Sequence, residues 1–244
     1  MITAYDEIKE QQRQTWNKFS SGWGKWDELT MGFLRPAGDE IIRLANLKEH
    51  YRVLDVATGT GEPGLTAATI VKKGTVIGTD LSEDMIKIAR KAAQRKGLKN
   101  YDTRECDAGR LPFGDNEFDA VICRFGFMFF PDMEVALKEM VRVLKPGGRL
   151  VTSVWSTPDK NAWASTIMSI ISSNIPAPPP PPGAPGLFRC AQPQMMSGLF
   201  QKAGLINVTE KPVAHNWRFE SVEQYWSLMT EVAAPVVAAL SNAA

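Results

Sequence analysis

Short apolar runs alternate along the chain with amphipathic stretches. Residues 53–56, "VLDV", form an apolar strand that holds one acid. A helix is predicted over residues 62–71, then a second strand over 75–79. Residues 82–96 carry the strongest helical period, with Ile86 and Ala89 on one face and Lys87, Arg90 and Lys91 on the other; Gly97 ends the helix. Residues 101–105 and 118–125 ("FDAVICRF") read as a third and a fourth strand. A helix over 133–144, a turn at "KPGG" and a fifth strand over 149–155 complete the series. This alternation predicts an α/β fold: a Rossmann-like, doubly wound, mainly parallel sheet with helices on both faces and right-handed crossovers.

The pattern changes on either side of that core. Residues 5–29 hold Trp16, Trp23 and Trp26, three of the seven tryptophans, and predict an N-terminal helical cap that packs as core or covers a ligand cleft. After Trp155 a helix is predicted over 161–173. The run "IPAPPPPPGAPG", residues 175–186, is neither helix nor sheet interior, because proline lacks the backbone donor and holds the chain extended. It reads as a stiff connector, a Pro-rich lid segment or a ligand for a partner's groove. A helix over 193–203, a strand over 205–213 and a helix over 221–240, interrupted by Pro235, follow. The expected division is a cap over 1–50, an α/β core over 51–156, and a lid or substrate segment over 157–244 that finishes the same domain.

Bulk properties narrow the partners. The 244 residues are 44% hydrophobic, enough for one globular domain with a small appendage. The 28 basic and 27 acidic side chains leave a net charge of +1, so no single-sign field draws in nucleic acid or an anionic membrane. No apolar run is long enough to span a bilayer, and the first ten residues lack a signal-peptide core. Cys106, Cys123 and Cys190 fit neither a zinc spacing nor a paired disulfide framework. The expectation is a cytoplasmic protein with no metal, no nucleic acid and a small-molecule partner.

The candidate chemistry lies at the strand ends. Gly59 and Gly61 let a ligand approach bare main chain, and the helix start near Glu62 presents free amides, with Pro63 suited to its first turn. The spacing is D-x-G-x-G-x-G, with Ala57 in the first glycine place, rather than the G-x-G-x-x-G of a pyrophosphate site. Asp55, two residues before Ala57, suits a ligand with an ammonium group or a positive sulfur. Asp80 ends the second strand at the distance at which an acid binds ribose hydroxyls, although it also fits a helix N-cap, a role Ser82 fills as well. Leu81 and Met85 would offer apolar surface to a base. Asp107 ends the third strand, placed to accept from an exocyclic amine or to sit in a polar loop.

As an ordered set, "DVATGTG", "GTDLSEDMI", "CDAGRLPFGDNEFD" and "LKPGGRL" resemble the motifs of class I S-adenosylmethionine-dependent methyltransferases, and within them the ubiquinone/menaquinone-biosynthesis C-methyltransferase type. The resemblance covers about residues 53–155. It implies that Ala57, Thr58, Gly59, Thr60 and Gly61 hold the methionine portion of S-adenosyl-L-methionine, with Asp55 at the head of that loop. It further implies that Asp80 binds the ribose, Leu81 neighbours the adenine, and Asp107 accepts from the adenine amine with Ala108 beside it. Arg124 and Phe125 would line the methyl-donor end. "KPGG" would be structural, and the last sheet strand would be antiparallel and near the C-terminus, where no candidate follows Ser221.

The implied reaction is C- or O-methylation of a quinol, phenol or lipid-like small molecule by in-line displacement, leaving S-adenosyl-L-homocysteine. Such a reaction needs alignment and exclusion of water more than a catalytic dyad, and no catalytic residue is assigned. Trp26, Phe127, Trp155 and Arg189 are candidates to meet the acceptor; Phe127 and Trp155 also fit a core, and Arg189 a solvent-facing position. His50 lies at the wrong end of the sheet, and His215 is either a base or a satisfied strand histidine. An "NPPY"-like tetrapeptide and a Pro-Cys dipeptide are both absent, which argues against nucleic-acid bases as acceptors. An NAD-dependent oxidoreductase and a non-catalytic binding or partner module remain the alternatives.

Overall fold

The five runs expected as strands become β1 (Arg52–Val56), β2 (Thr75–Asp80), β3 (Tyr101–Glu105), β4 (Phe118–Arg124) and β5 (Leu144–Ser153) in a computed structural model that describes residues 3–175, 181 and 183–241. Every neighbouring pair is parallel, in the order β3-β2-β1-β4-β5. Strand order therefore reverses between β1 and β4, and open α/β sheets bind their ligands at such a point, beyond the carboxyl ends of the strands. The helices are α1 (Ala4–Lys25), α2 (Asp27–Ala45), α3 (Gly64–Ile70), α4 (Glu83–Arg95), α5 (Met133–Val143), α6 (Ala162–Asn174), α7 (Met195–Lys202), α8 (Val222–Val232) and α9 (Ala234–Ser241).

The β1 run is apolar at consecutive positions because the sheet is covered on both sides. Leu54 and Val56 join Val121 and Cys123 of β4 against Leu137 and Met140 of α5. Val53 faces the other way, with Ile122, towards Leu65 of α3, Ala89 of α4 and Ile41 of α2. A third apolar cluster, built from Ile167 and Ile171 of α6, Leu228 and Met229 of α8 and Val236 of α9, takes in Trp23, Trp26 and Leu29 from the N-terminal helices. The cap is thus fastened to the C-terminal helices by tryptophan burial.

Several elements differ from the expectation. The N-terminal region is two helices, and α2 continues to Ala45 with Pro36 inside it. The third helix starts only at Gly64; Pro63 precedes it, joined to Glu62 by a cis peptide bond, and is not a first-turn residue. "KPGG" is not a turn before the fifth strand: β5 begins at Leu144, paired with Phe118, and the register shifts before Arg149 pairs with Ala120. Residues 205–213 form no strand. Ile206 is 84% exposed, and no neighbouring strand offers this segment a ladder. Residues 221–240 divide into α8 and α9 at Ala233. Much of the expected proline lid, 176–180 and 182, lies outside the described residues, although Gly186 beyond it donates its N–H to the Met128 carbonyl at 3.1 Å. Among the described residues, no helix is long and apolar enough to cross a membrane.

Leu54 is fully buried at the centre of the sheet. Leu54→Ala is expected to cost about 2–5 kcal/mol of stability, read as a lower urea midpoint.

Candidate functional site

The turn after β1 is shaped from beneath by a buried carboxylate. Asp55 is 0% exposed, and its Oδ2 accepts from the Thr58 hydroxyl at 2.6 Å and from the Gly64 N–H at 3.0 Å. Thr58 has then given its one proton, so the Tyr101 hydroxyl, 3.0 Å away, donates to it. The expectation that Asp55 meets a positive ligand gives way to this arrangement. Closing the loop over the carboxylate, with a pull from the start of α3, draws Asp55 inward. Burial raises its pKa to about 7, against the opposing effect of the Thr58 hydrogen bond and the nearby Arg124 charge. Its Oδ1 is buried and has no partner among the described residues.

The loop is tied to β2 by two contacts. Thr58 N–H donates to the Thr79 carbonyl at 2.9 Å, and Gly59 N–H to Asp80 Oδ2 at 2.9 Å. Asp80 Oδ1 accepts the Ser82 N–H at 2.9 Å, while the Ser82 hydroxyl caps α4 by accepting from Met85 N–H at 3.1 Å. Ser82 is therefore the N-cap, and Asp80 joins the glycine turn to the start of α4. Gly59 has φ +56°, and a Cβ placed on it would meet nothing within 4 Å, so bare main chain faces open space there. Ala57 takes φ +56° without being glycine, as Phe125 does at +57° after β4.

β3 lies beside β2, with Asp80 in register with Glu105, which brings Asp107 to the same end of the sheet. Asp107 Oδ1 accepts the Gly109 N–H at 2.8 Å, and the Tyr5 hydroxyl of α1 lies 2.9 Å from both carboxylate oxygens. The N-terminal helices reach the other strand ends too. Asn17 Oδ1 accepts from the Ser82 hydroxyl at 2.6 Å, and Asp27 Oδ1 from the Thr60 hydroxyl at 2.8 Å. Tyr5, Asn17, Asp27 and Tyr101 are absent from the sequence-derived candidates, and the only hint was that the first three lie in the aromatic 5–29 stretch expected to form the cap. Their contacts cross 33 to 102 residues of chain, beyond the reach of any local pattern.

The remaining candidates divide. Leu81 and Ala108 sit half-buried beside the two acids, but Met85 is buried and offers no open surface to a base. Arg124 points into α2, with its guanidinium 3.2 Å from Met31 Sδ. Phe125 stacks on Trp155 at 4.2 Å, and Trp155 lies 5.8 Å from Phe33 of α2. Phe127 is wholly buried in the core, so it is withdrawn as an acceptor contact. Arg189 is half-buried and not solvent-facing: its guanidinium donates to the Phe130 and Pro131 carbonyls, and its buried Nε has no partner among the described residues. Trp26 donates to Glu231 Oε2 at 3.0 Å and lines an 860 Å³ cleft with Leu29, Phe33, His215 and Trp217. That cleft is on the side of α2 away from the loop. At 100° per residue, Asp27 and Met31 share one face, while Leu29 and Phe33 lie across the helix. His215 is exposed in coil on this far side, and His50 is exposed before β1. Among the described residues, no cluster of His, Cys, Asp or Glu forms a metal site.

Comparison with known proteins gives this geometry a lineage. Residues 53–148 match the family described as "Methyltransferase domain". The α/β core is a class I methyltransferase domain. Over 122 residues the chain is 44% identical to a demethylmenaquinone methyltransferase of Thermus thermophilus, covering 50% of this chain and 55% of that protein. Over 172 residues it is 36% identical to the ubiquinone/menaquinone biosynthesis C-methyltransferase UbiE of Pasteurella multocida, covering 68% of this chain and 64% of the relative. A putative methyltransferase from Bacillus halodurans superposes with a TM-score of 0.54 at 26% identity, over 68% of each chain. The chain spans about half the length of the first relatives it matches. The match to a methyltransferase domain leaves the oxidoreductase reading without support.

The raised pKa of Asp55 has a direction that can be measured. The folded protein holds this proton more tightly than the unfolded chain, so stability from this group is full below about pH 4 and is lost as pH rises towards 7. Asp55→Asn should remove that decline. The wild-type unfolding free energy, measured relative to the variant from pH 4 to 7, is expected to fall by about 1.4 kcal/mol per unit of pKa displacement.

Proposed function

We propose that this protein transfers a methyl group from S-adenosylmethionine to a small apolar or aromatic acceptor, leaving S-adenosylhomocysteine. The observation that carries the reading is the pair of carboxylates, Asp80 and Asp107, at the ends of adjacent strands beside a left-handed glycine turn that opens onto space. S-adenosylmethionine supplies an activated methyl group on a positive sulfur. Gly59, Thr60 and Gly61 offer main chain to its amino-acid portion, and Asp80 accepts from the ribose hydroxyls while its inner lone pairs stay fixed by Gly59 and Ser82. Leu81 and Ala108 border the base, and Asp107 accepts from its amino group. Asp55 acts one layer down, holding Thr58 and Gly64 so that the loop keeps its shape.

The acceptor belongs beside Phe125 and Trp155, where the turns after β4 and β5 meet the switch point. Their stacked rings are apolar, and they would exclude water and hold the nucleophile in line with the methyl group, which supplies about 7–11 kcal/mol in well-oriented reactions. The names of the relatives favour a quinol-like acceptor. The working division is a cap over 1–50, a core over 51–156 and a lid or substrate segment over 157–244. Near-neutral charge favours a small molecule over nucleic acid, and three free thiols suit a reducing, cytoplasmic setting.

Calorimetric titration with S-adenosylmethionine and S-adenosylhomocysteine tests the cofactor half, and transfer of labelled methyl to a quinol and phenol panel tests the rest. Asp80→Ala is expected to weaken binding by about 1.5–3 kcal/mol with the fold retained. A folded wild-type protein that takes up neither ligand would overturn the proposal.

A further inference from the structure

α1 is anchored unevenly. Its buried residues are Phe19, Ser20 and Gly22, all in the second half. That half also carries Trp16 edge-on to Phe129 at 5.0 Å, Asn17 on Ser82, and Lys25 on Glu231 at 2.7 Å. The first half buries no residue completely. It meets the core through the Tyr5 hydroxyl on both oxygens of Asp107, with Lys9 a further 3.8 Å from Oδ2. Thr3 and Asp6 cap one another reciprocally, so the turn that bears Tyr5 stays helical and moves as a unit.

The fit around the phenol is close. A Cβ on Gly109 would lie 2.1 Å from the Tyr5 oxygen, so the glycine makes room for it. Burial and the neighbouring Asp107 push the Tyr5 pKa well above the ordinary phenol value, which keeps the group a donor over the working pH range. A protonated phenol and an exocyclic amine offer an acid the same thing, a hydrogen bond to a carboxylate oxygen.

We infer that Tyr5 is a latch that stands where the adenine amino group binds, and that cofactor entry replaces one donor on Asp107 with another while the first turns of α1 swing away. The inference rests on Asp107 being the adenine contact. It makes Tyr5 a determinant of cofactor affinity and selectivity. The carboxylate is never left bare, and a ligand without a donor at this position cannot displace the phenol without cost. Apparent affinity is lowered by the fraction of molecules in which the latch is shut.

Tyr5→Phe removes the competing donor and keeps the ring. By calorimetry it is expected to bind S-adenosylhomocysteine roughly three- to tenfold more tightly than wild type, the range set by one hydrogen bond. In an Asp107→Asn background the same change should bring a smaller gain, which a merely structural role for Tyr5 would not produce. In wild-type protein, saturating S-adenosylhomocysteine should speed hydrogen exchange across residues 4–13, a readout that does not depend on the variant folding. Unchanged or weaker binding by Tyr5→Phe, or slower exchange in that segment, overturns the latch. Wild-type protein that binds no S-adenosylhomocysteine fails instead at the cofactor reading.

Discussion

The carboxylate of Asp80 joins two turns that no backbone ladder connects. One oxygen holds the Gly59 amide of the turn after β1, and the other holds the Ser82 amide at the start of α4. Both donors are main chain, so the acid fixes backbone position and not side-chain choice. Burial alone pushes its pKa up, and the amide hydrogen bonds oppose that shift. A carboxylate already oriented by two amides loses little further freedom when it meets a ligand. The glycine turn, the α4 cap and the outward lone pairs of Asp80 are in this sense a single structure. The rest of the site is arranged around it, with Asp107 one strand over and Asp55 one layer down.

Those parts were legible in the sequence to different degrees. All five strands followed from runs of four to eight residues whose signal is local, and the acids at the ends of β2 and β3 could be placed by counting along each strand. The direction in which Asp55 points was not local. It depends on Gly64, nine residues on, folding back to donate to it. The sequence marked only the start of α2, because Pro36 and Gly38 break its local propensity, while its burial against the sheet through Leu34 and Ile41 decides the matter. Residues 205–213 have strand-like composition, but a strand forms only when another offers it a ladder, and Ile206 and Val213 stay exposed. Arg189 and Phe127 show the same limit at the level of single side chains. Residue type allowed a site role, and packing assigned a structural one.

The cap illustrates how a helix can be firmly held and still regulate access. Tryptophan burial secures the α1–α2 junction to α6 and α8, and Lys25 and Trp26 both meet Glu231 there. Such burial is worth several kcal/mol and is indifferent to pH and salt. At the opposite end of α1 the contacts are a few polar bonds at half-buried positions, each worth about 1 kcal/mol net. One helix therefore combines a stable end and a labile end, and the labile end rests on the acid of β3.

Strain at the switch point follows from the same geometry. β1 and β4 are adjacent, and each is followed by a non-glycine residue in the left-handed region, Ala57 and Phe125. Such a conformation costs about 1–3 kcal/mol at each position unless its surroundings enforce it. At Phe125 they do: its N–H bonds the Ser153 carbonyl at 3.0 Å, and its ring lies flat on Trp155. An aromatic pair of this kind returns about 0.5–1.5 kcal/mol, and the hydrogen bond a similar amount. An extended Phe125 would carry its ring along the strand direction and away from Trp155. The left-handed turn is what folds the ring back onto Trp155, so the strain sets this aromatic pair beside the switch point.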